Sequence, residues 1–571
     1  MQIQVEGTTI WMTVANIDLD LVRGIPHRAY DAKRQQWRAP ITPRVVSYLD
    51  RILNQDQRWM LEKAQNQFTP RPLPNYPFKT EPRNYQRKHL EAMQDLPAYA
   101  VLFEPGLGKS KVAIDDACIA RGMGAIRDAA VVCPNSIKSN WVDEIEKHSP
   151  EEVDVFVYDP SKKKQAQAFI DKPGVRMRWF IIAVESLSSG EGRRFLEAFL
   201  RSTACSLIVD ESSRIKTYNA DRTKALLALA PLASRRRILS GTPFSKGLQD
   251  GWAQFSFLSP RILNGQNYFA FRNTFCVLGG FEGKQIVASK NEDLFTDLTA
   301  YYTGIERKAD HLDLPKVYQK RLVCPSDAQA KALRELEKFG MTDVDGGVMS
   351  FTNVLVKHLR MQQAAGGFAA VEDELSRALE GLDFMDPVLL ERRIEKCRSV
   401  PLPGGNPKIQ ELLNVIEETP GKLLIWCRFR PEIQAIVEAL GKAHGPDSVV
   451  QFHGDCSDDE RTTARRRFMN DDTCRFFVGQ SRTGGIGLTL TAAQTAVYFS
   501  NDWSLETRIQ SEDRNNRIGT VGTTLYIDLI LDYPKSIDKR ILTALQEGRS
   551  YTEDLMLQMR EASAYSGDRE P

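Results

Sequence analysis

Residues 99–120 read YAVLFEPGLGKSKVAIDDACIA, an apolar run, a glycine-punctuated turn and a helix-compatible stretch in succession. Glycines let backbone N–H groups curl around an anion, and the N-terminus of the following helix adds positive potential. Lys109 can then reach terminal phosphates and Ser110 can hold Mg²⁺. EPGLGKS, residues 104–110, is therefore expected to bind a nucleoside triphosphate, although the Walker pattern wants Gly where this chain has Phe103. A strand that ends in such a loop and feeds a helix belongs to a parallel sheet, and the fold class expected is α/β.

Outward from this stretch, short apolar runs recur at AAVVCPN (129), RWFIIAVE (178), SLIVDE (206) and RRILSGTPF (236). A second series follows at KLLIWCRF (422), VVQFHGD (449), CRFFVGQS (474), TAVYFSN (495) and TLYIDLIL (524). Near-continuous apolar strands are what a sheet covered on both faces demands, so two α/β lobes are expected. Residues 320–410 read as mainly helical and charged. TPRPLPNYPF, residues 69–78, holds four prolines in ten positions and reads as a linker. Before it, QIQVEGTTIWMTV predicts a hairpin, LDLVRGI a short helix, QQWRAP a strand and PRVVSYLDRIL a longer helix. The expected division is an α+β module over 1–68, a linker over 69–80, a first lobe over 81–315, a helical insertion over 316–410, a second lobe over 411–550 and a polar tail over 551–571.

SLIVDESS, residues 206–213, is an apolar strand ending in two acids. Asp210 can hold the Mg²⁺ shell while Glu211 stands where it could polarise an attacking water. In QSEDRNNRIG, residues 510–519, Arg514 and Arg517 are three apart on an expected helix and would share a face, as a pair of guanidinium groups meeting a γ-phosphate should.

With 571 residues, 42% apolar and 26% charged, the chain has the composition of a multidomain globular protein. No run of about 18 apolar residues offers a membrane span. The first residues lack an export signal and the nine cysteines include no C-x-x-C pair, so a reducing, intracellular setting without disulfides or zinc is expected. A net charge of +2 excludes a uniformly basic coat for nucleic acid, and any binding face must be local.

Taken in order, these segments resemble the Swi/Snf family of superfamily-two ATPases over most of residues 81–535. PRNYQ at 82 is similar to the family's adenine-reading motif, with Gln86 as base contact. EPGLGKS, with Glu104, Pro105, Gly106, Leu107, Gly108, Lys109 and Ser110, stands where the family has D-E-x-G-L-G-K-[ST]. VVCPNSIKSNWVDEI at 131 resembles the motif bordering the DNA groove, with Asn135 and Trp141. DESSRIK occupies the place of the D-E-x-H box, and SGTPF, with Ser240, Gly241, Thr242 and Pro243, that of the T-G-T-P coupling motif. ERKADHLDLPK at 306 is similar to the brace between lobes, and QFHGDCSDDERTTARRRF, with His453 and Gly454, to a second-lobe motif. GGIGLTLTAA, with Gly485, resembles G-G-x-G-L-N, and QSEDRNNRIG, with Gln510 and Asp513, resembles Q-x-x-D-R-x-x-R-I-G. Ser213 replaces a histidine that in relatives helps couple hydrolysis to nucleic-acid binding, and Thr489 and Asn516 replace Asn and His.

The resemblance implies two RecA-like lobes that bind ATP·Mg²⁺ between them, with Gln86, Lys109, Ser110, Asp210 and Glu211 from the first and Arg514 and Arg517 from the second. It implies DNA as partner, and translocation along a duplex rather than strand separation. The rivals are a strand-separating helicase and an ATP-switched DNA-binding scaffold of weak turnover. GIPHRAYDAKRQQWRAP at 24–40 is also similar to the HARP module of annealing helicases. There Arg23, His27, Arg28, Lys33, Arg34 and Arg38 cluster beside Tyr30 and Trp37, which implies branched or forked DNA as substrate. Arg235, Arg236 and Arg237 read as a charged turn, Arg465, Arg466 and Arg467 as a solvated helix face, and Cys133, Cys427 and Cys474 as small buried hydrophobes.

Overall fold

A computed structural model describes residues 1–548 apart from 16–17, 173, 189, 245–246, 280–284, 312–314, 343–350, 371–397, 485–487, 489, 517–519, 521 and 535. The chain divides into two compact units, one running to Asp310 and one over residues 311–549. No described helix is long and apolar enough to cross a membrane.

The first unit opens with strands β1 (Gln2–Glu6), β2 (Thr9–Thr13), β3 (Ala29–Asp31) and β4 (Gln36–Pro40) in an antiparallel sheet of order β1-β2-β4-β3. Helix Pro43–Ile52 follows, with Thr42 accepting from Val45 N and proline at its first turn. Helix Gln55–Gln65 begins with an Asn54/Gln57 capping box. This sheet and its helices dock on what comes later. The buried Asp297 carboxylate meets His27 Nε2 at 2.6 Å, accepts from Thr42 Oγ1 at 2.7 Å and takes the Arg44 backbone N–H at 3.2 Å, while Phe68 stacks on Tyr301 at 4.4 Å. His27 therefore belongs to this contact and not to a surface basic cluster. Residues 69–80 are pinned along the unit. Gln94 Nε2 donates to the Arg71 carbonyl at 2.5 Å, and Lys111 Nζ to that of Thr80 at 2.7 Å.

The main sheet of the unit holds β5 (Ala98–Phe103), β6 (Asp128–Cys133), β7 (Val153–Val157), β8 (Met177–Ala183), β9 (Cys205–Asp210), β10 (Arg235–Leu239) and, beyond a ribbon of β11 (Cys276–Gly279) and β12 (Gln285–Ser289), β13 (Thr303–Glu306). All pair in parallel in the order β13-β5-β10-β9-β6-β8-β7. Every residue of β5, β6, β8 and β9 is buried, which explains their predominantly apolar sequences, and Asp128 of β6 is paired there with Arg178 of β8 at 2.8 Å.

The expectation for Arg235–Arg237 is corrected. They lie in β10, where Arg235 and Arg237 alternate onto one buried face and both reach Asp116 of helix Lys109–Gly122, at 2.8 and 2.9 Å. Two cations survive inside a sheet because a buried acid and backbone carbonyls of Met93, Gln94 and Leu96 receive their N–H groups.

In the second unit β14 (Lys316–Val323) precedes a ribbon of β15 (Phe368–Ala370) and β16 (Ser399–Pro401). Then come β17 (Lys422–Cys427), β18 (Val449–Phe452), β19 (Phe476–Gln480), β20 (Ala493–Tyr498) and β21 (Thr524–Leu531). The parallel order is β14-β21-β20-β17-β19-β18. Alternate residues of β17 serve two cores, Leu423, Ile425 and Cys427 on one face and Leu424 and Trp426 on the other. The stretch from residue 316 was expected to begin a helical region. It forms an edge strand instead, paired with β21 from Lys316↔Thr524 to Val323↔Leu531, and its interspersed lysine, glutamine and arginine residues conceal it from an apolar-run criterion. Helices Asp327–Thr342 and Phe351–Ala365 lie beyond it. Cys133, Cys427 and Cys474 are buried.

Candidate nucleotide site

In the first sheet β10 lies between β5 and β9, so the turns after these three strands are neighbours. Residues 104–108 leave β5, Ser240–Pro243 leave β10, and Asp210–Glu211 end β9. The contact is close: a Cβ on Gly241 would sit 2.6 Å from Pro105 Cδ, so glycine is required for the two turns to touch.

The expected phosphate loop is held from beneath. Gly108 has φ +78°, and a Cβ there would fall 2.4 Å from Gln86 Nε2. Gln86 and Tyr85 both donate to the Leu107 carbonyl at 3.0 Å, and Gln86 Oε1 accepts from Arg83 N at 2.9 Å. Gln86 thus braces the loop directly. Phe103, the departure from the Walker pattern, turns its side chain into the core against His89 and Tyr85, while its carbonyl accepts from Lys109 Nζ at 3.0 Å. Glu104 is clamped to the end of β13: its N–H donates to the Glu306 carbonyl at 2.9 Å and its carboxylate accepts from Lys308 N at 2.8 Å. His89 bridges Tyr99 and the Glu306 carboxylate, at 3.1 and 2.7 Å. The first half of the segment expected as a brace is therefore fastened to the phosphate loop.

Asp210 is buried. Its Oδ2 accepts from Trp141 Nε1 at 2.9 Å and its Oδ1 from Glu211 N at 2.8 Å. Burial raises its pKa above the usual carboxylate range, against the pull of the Lys109 ammonium and of these two hydrogen bonds. Trp141 was expected to border a DNA groove; its indole is buried and serves the acid at the end of β9. Asn135, from the same motif, is exposed, with its backbone N–H on Glu185 at 3.2 Å. Glu211 holds φ +48°, ψ +56°, a conformation that costs a non-glycine residue free energy and that clusters at functional sites. The next residue explains how it is kept. Ser212 Oγ donates to Gln254 Oε1 at 2.6 Å, and Gln254 Nε2 donates to the Pro243 carbonyl at 2.8 Å. Sequence reasoning missed Gln254, though an amide in the apolar stretch GWAQFSFL was a visible signal.

In the second unit, helix Leu505–Glu512 ends before Arg514, so the expectation that Arg514 and Arg517 share a helix face fails for Arg514. Arg514 is buried, donating from Nε to the Gln510 carbonyl at 2.8 Å and from Nη1 to that of Leu488 at 2.9 Å. Arg517, Gly485 and Thr489 lie outside the described residues. Gln510 Nε2 donates to Glu506 at 3.3 Å, and Asp513 lies 4.0 Å from Lys316. Lys316, the last residue of the expected brace, meets Glu512 at 3.1 Å, and Arg508 joins the same carboxylate to Asp528 while lying 3.4 Å over the Tyr498 ring. His453 is half-buried, its pKa lowered chiefly by burial, and Arg461 Nη2 donates to the exposed Gly454 carbonyl at 2.8 Å. Asn516 donates to Thr524 Oγ1 at 3.2 Å. On the N-terminal sheet, Tyr30 is exposed and stands edge-on to Trp37 at 5.3 Å. Arg28 is exposed nearby, whereas Arg34 is committed to Glu6 at 2.8 Å.

A family model described as the SNF2-related domain matches residues 42–332, more than half of the chain, and one described as the helicase conserved C-terminal domain matches residues 407–519. The chain belongs to the SNF2-related family. It is 25% identical over 434 residues to the SWI/SNF chromatin-remodeling complex subunit snf22 of Schizosaccharomyces pombe, a match covering 73% of this chain and 24% of that protein. It is 25% identical over 448 residues to the transcription regulatory protein SNF2 of Saccharomyces cerevisiae, covering 75% and 25%. The chain thus spans about a quarter of the length of these relatives. Among solved structures it is similar to the Sulfolobus solfataricus SWI2/SNF2 ATPase core in complex with dsDNA, at 20% identity and a TM-score of 0.38, over 88% of this chain and 100% of that one. The SNF2-related match begins at residue 42, so it takes in the docked helices as well as the first main sheet.

Proposed function

We propose that this chain is a DNA-dependent ATPase that couples ATP hydrolysis to translocation on double-stranded DNA. The observation that carries the reading is the β5-β10-β9 order, which sets the phosphate loop, Ser240–Pro243 and Asp210–Glu211 side by side in a member of the SNF2-related family. Backbone N–H groups of the loop and Lys109 hold the phosphates, and Glu211 orients the attacking water. Arg514 and Arg517 are assigned to the charge that develops on the γ-phosphate. Ser110 and Asp210 offer hard oxygen donors, and a buried carboxyl whose charge is penalised by desolvation gains from a cation, so this pair fits Mg²⁺. When bound, the ion neutralises phosphate charge. Contacts to DNA phosphates make binding salt-sensitive and only weakly sequence-selective. The exposed Tyr30 beside Trp37, with Arg28 on the same module, supports a preference for branched DNA with unpaired bases.

ATP hydrolysis with and without duplex DNA, on the intact chain and on Glu211→Gln, tests this. Strong stimulation that falls by about a hundredfold or more in the variant is the expected result. Absence of stimulation rejects the duplex motor. A fork that stimulates no better than a duplex rejects the branched-DNA preference, and efficient strand displacement would favour a separating helicase instead.

A further inference from the structure

The D-E-x-H position of this chain carries Ser213, so the coupling that relatives route through a histidine must take another path if hydrolysis responds to DNA. We propose that Gln254 is the positioning residue that supplies this path, tying the backbone after Glu211 to the Ser240–Pro243 turn through Ser212. The proposal rests on the ATPase reading above.

Gln254 lies in helix Gly251–Leu258, where Phe255, Phe257 and Leu258 are buried around it, and it is itself fully buried. An amide in such a place is costly unless its hydrogen bonds are made. Here the carbonyl oxygen accepts from Ser212 Oγ at 2.6 Å, and Nε2 donates to the carbonyls of Pro243 and Asp250, both at 2.8 Å. The two ends of the side chain therefore grip the residue after Glu211 and the last residue of the turn that follows β10. Asp250 adds a parallel tie, since its carboxylate faces Lys216 at 3.7 Å, four residues beyond Ser212.

This relay acts on a backbone that has somewhere else to go. Glu211 holds a left-handed conformation, which persists only where neighbours over-determine it. The Ser212–Gln254 bond fixes the residue immediately after it. A displacement of Pro243 is passed by a short, fully bonded amide to Ser212, and so to the orientation of Glu211. A merely structural amide would satisfy its own polar atoms without joining these two turns. Both groups are buried, and the hydroxyl at 212 and the amide oxygen at 254 satisfy one another.

The test measures kcat with and without duplex DNA, together with the Kd of a non-hydrolysable ATP analogue, for the intact chain, Ser212→Ala, Gln254→Met and the double variant. Each single substitution should lower the ratio of DNA-stimulated to basal kcat by about tenfold while nucleotide affinity holds, and the double variant should be no worse than either single one. A Ser212→Ala protein that keeps its stimulation ratio, or single effects that multiply in the double variant, overturns the relay. Because Ser212→Ala removes only a hydroxyl, misfolding of Gln254→Met alone does not rescue the proposal. An intact chain that DNA fails to stimulate sinks the ATPase reading and the relay together, whereas a stimulated intact chain with stimulated variants sinks the relay alone.

Discussion

At the scale of single residues, burial decides what a charged side chain does. Asp115 and Asp116 are adjacent in one helix, yet their surroundings differ. Asp115 accepts from Lys111 Nζ at 2.7 Å, but burial outweighs that bond and pushes its pKa up to about 6. The folded state then binds a proton more tightly than the unfolded chain between the ordinary value of 3.8 and about 6, so this group's contribution to stability falls as pH rises through that window. Acidifying from pH 7 to pH 5 should therefore favour the native state through Asp115 by roughly 1 kcal/mol. Asp115→Asn should lose that increment, seen as a smaller difference between urea-unfolding free energies at the two pH values than in the intact chain. Equal differences would show that Asp115 does not titrate in this range. The same scale shows the limit of motif reading. Lys109, Asp210 and Glu211 are singled out by motif because phosphate chemistry dictates residue type and spacing. The use of Trp141 on Asp210 is not, because nothing local in the chain says which way an indole N–H points.

At the scale of elements, the parallel strands covered on both faces were legible and the edge strand β14 was not. β5, β6, β8 and β9 are buried and mostly apolar, whereas β14 mixes lysine, arginine and glutamine into a strand that borders solvent. The Asp116, Arg235 and Arg237 cluster belongs to this scale, since it joins the helix after the phosphate loop to β10. Burial lowers the pKa of Arg237 to about 10 even with Asp116 beside it. Removing the acid leaves two buried guanidinium groups without their counter-charge, so Asp116→Ala should destabilise the protein by about 3–5 kcal/mol. Chemical denaturation checks this; a loss below about 1 kcal/mol would mean that the arginines find water or other acceptors.

At the scale of the whole molecule, the N-terminal 80 residues are bound to the helices of the first unit rather than strung from it. A single buried carboxylate, Asp297, receives His27, Thr42 and the backbone of Arg44, and Phe68 stacks nearby on Tyr301. Asp297→Ala removes several of these bonds at once. It should raise the rate of protease cleavage within residues 69–80 by about tenfold or more, the factor expected when a hydrogen-bonded charged group is lost from a docking contact. An unchanged cleavage pattern would mean that apolar contacts alone hold the module.

The amino-acid sequence by itself determined the α/β class, the glycine turn after β5 and the acids at the end of β9, because strand burial and tight turns impose local patterns of residue type. Tertiary structure alone decided the neighbours of those groups. The strand order sets Gly241 against Pro105, a buried amide joins Ser212 to Pro243, and two arginines that look like a charged turn share an acid 119 and 121 residues away in sequence. Such contacts depend on which surfaces the folded chain brings together, and residues that distant leave no periodic trace in the sequence.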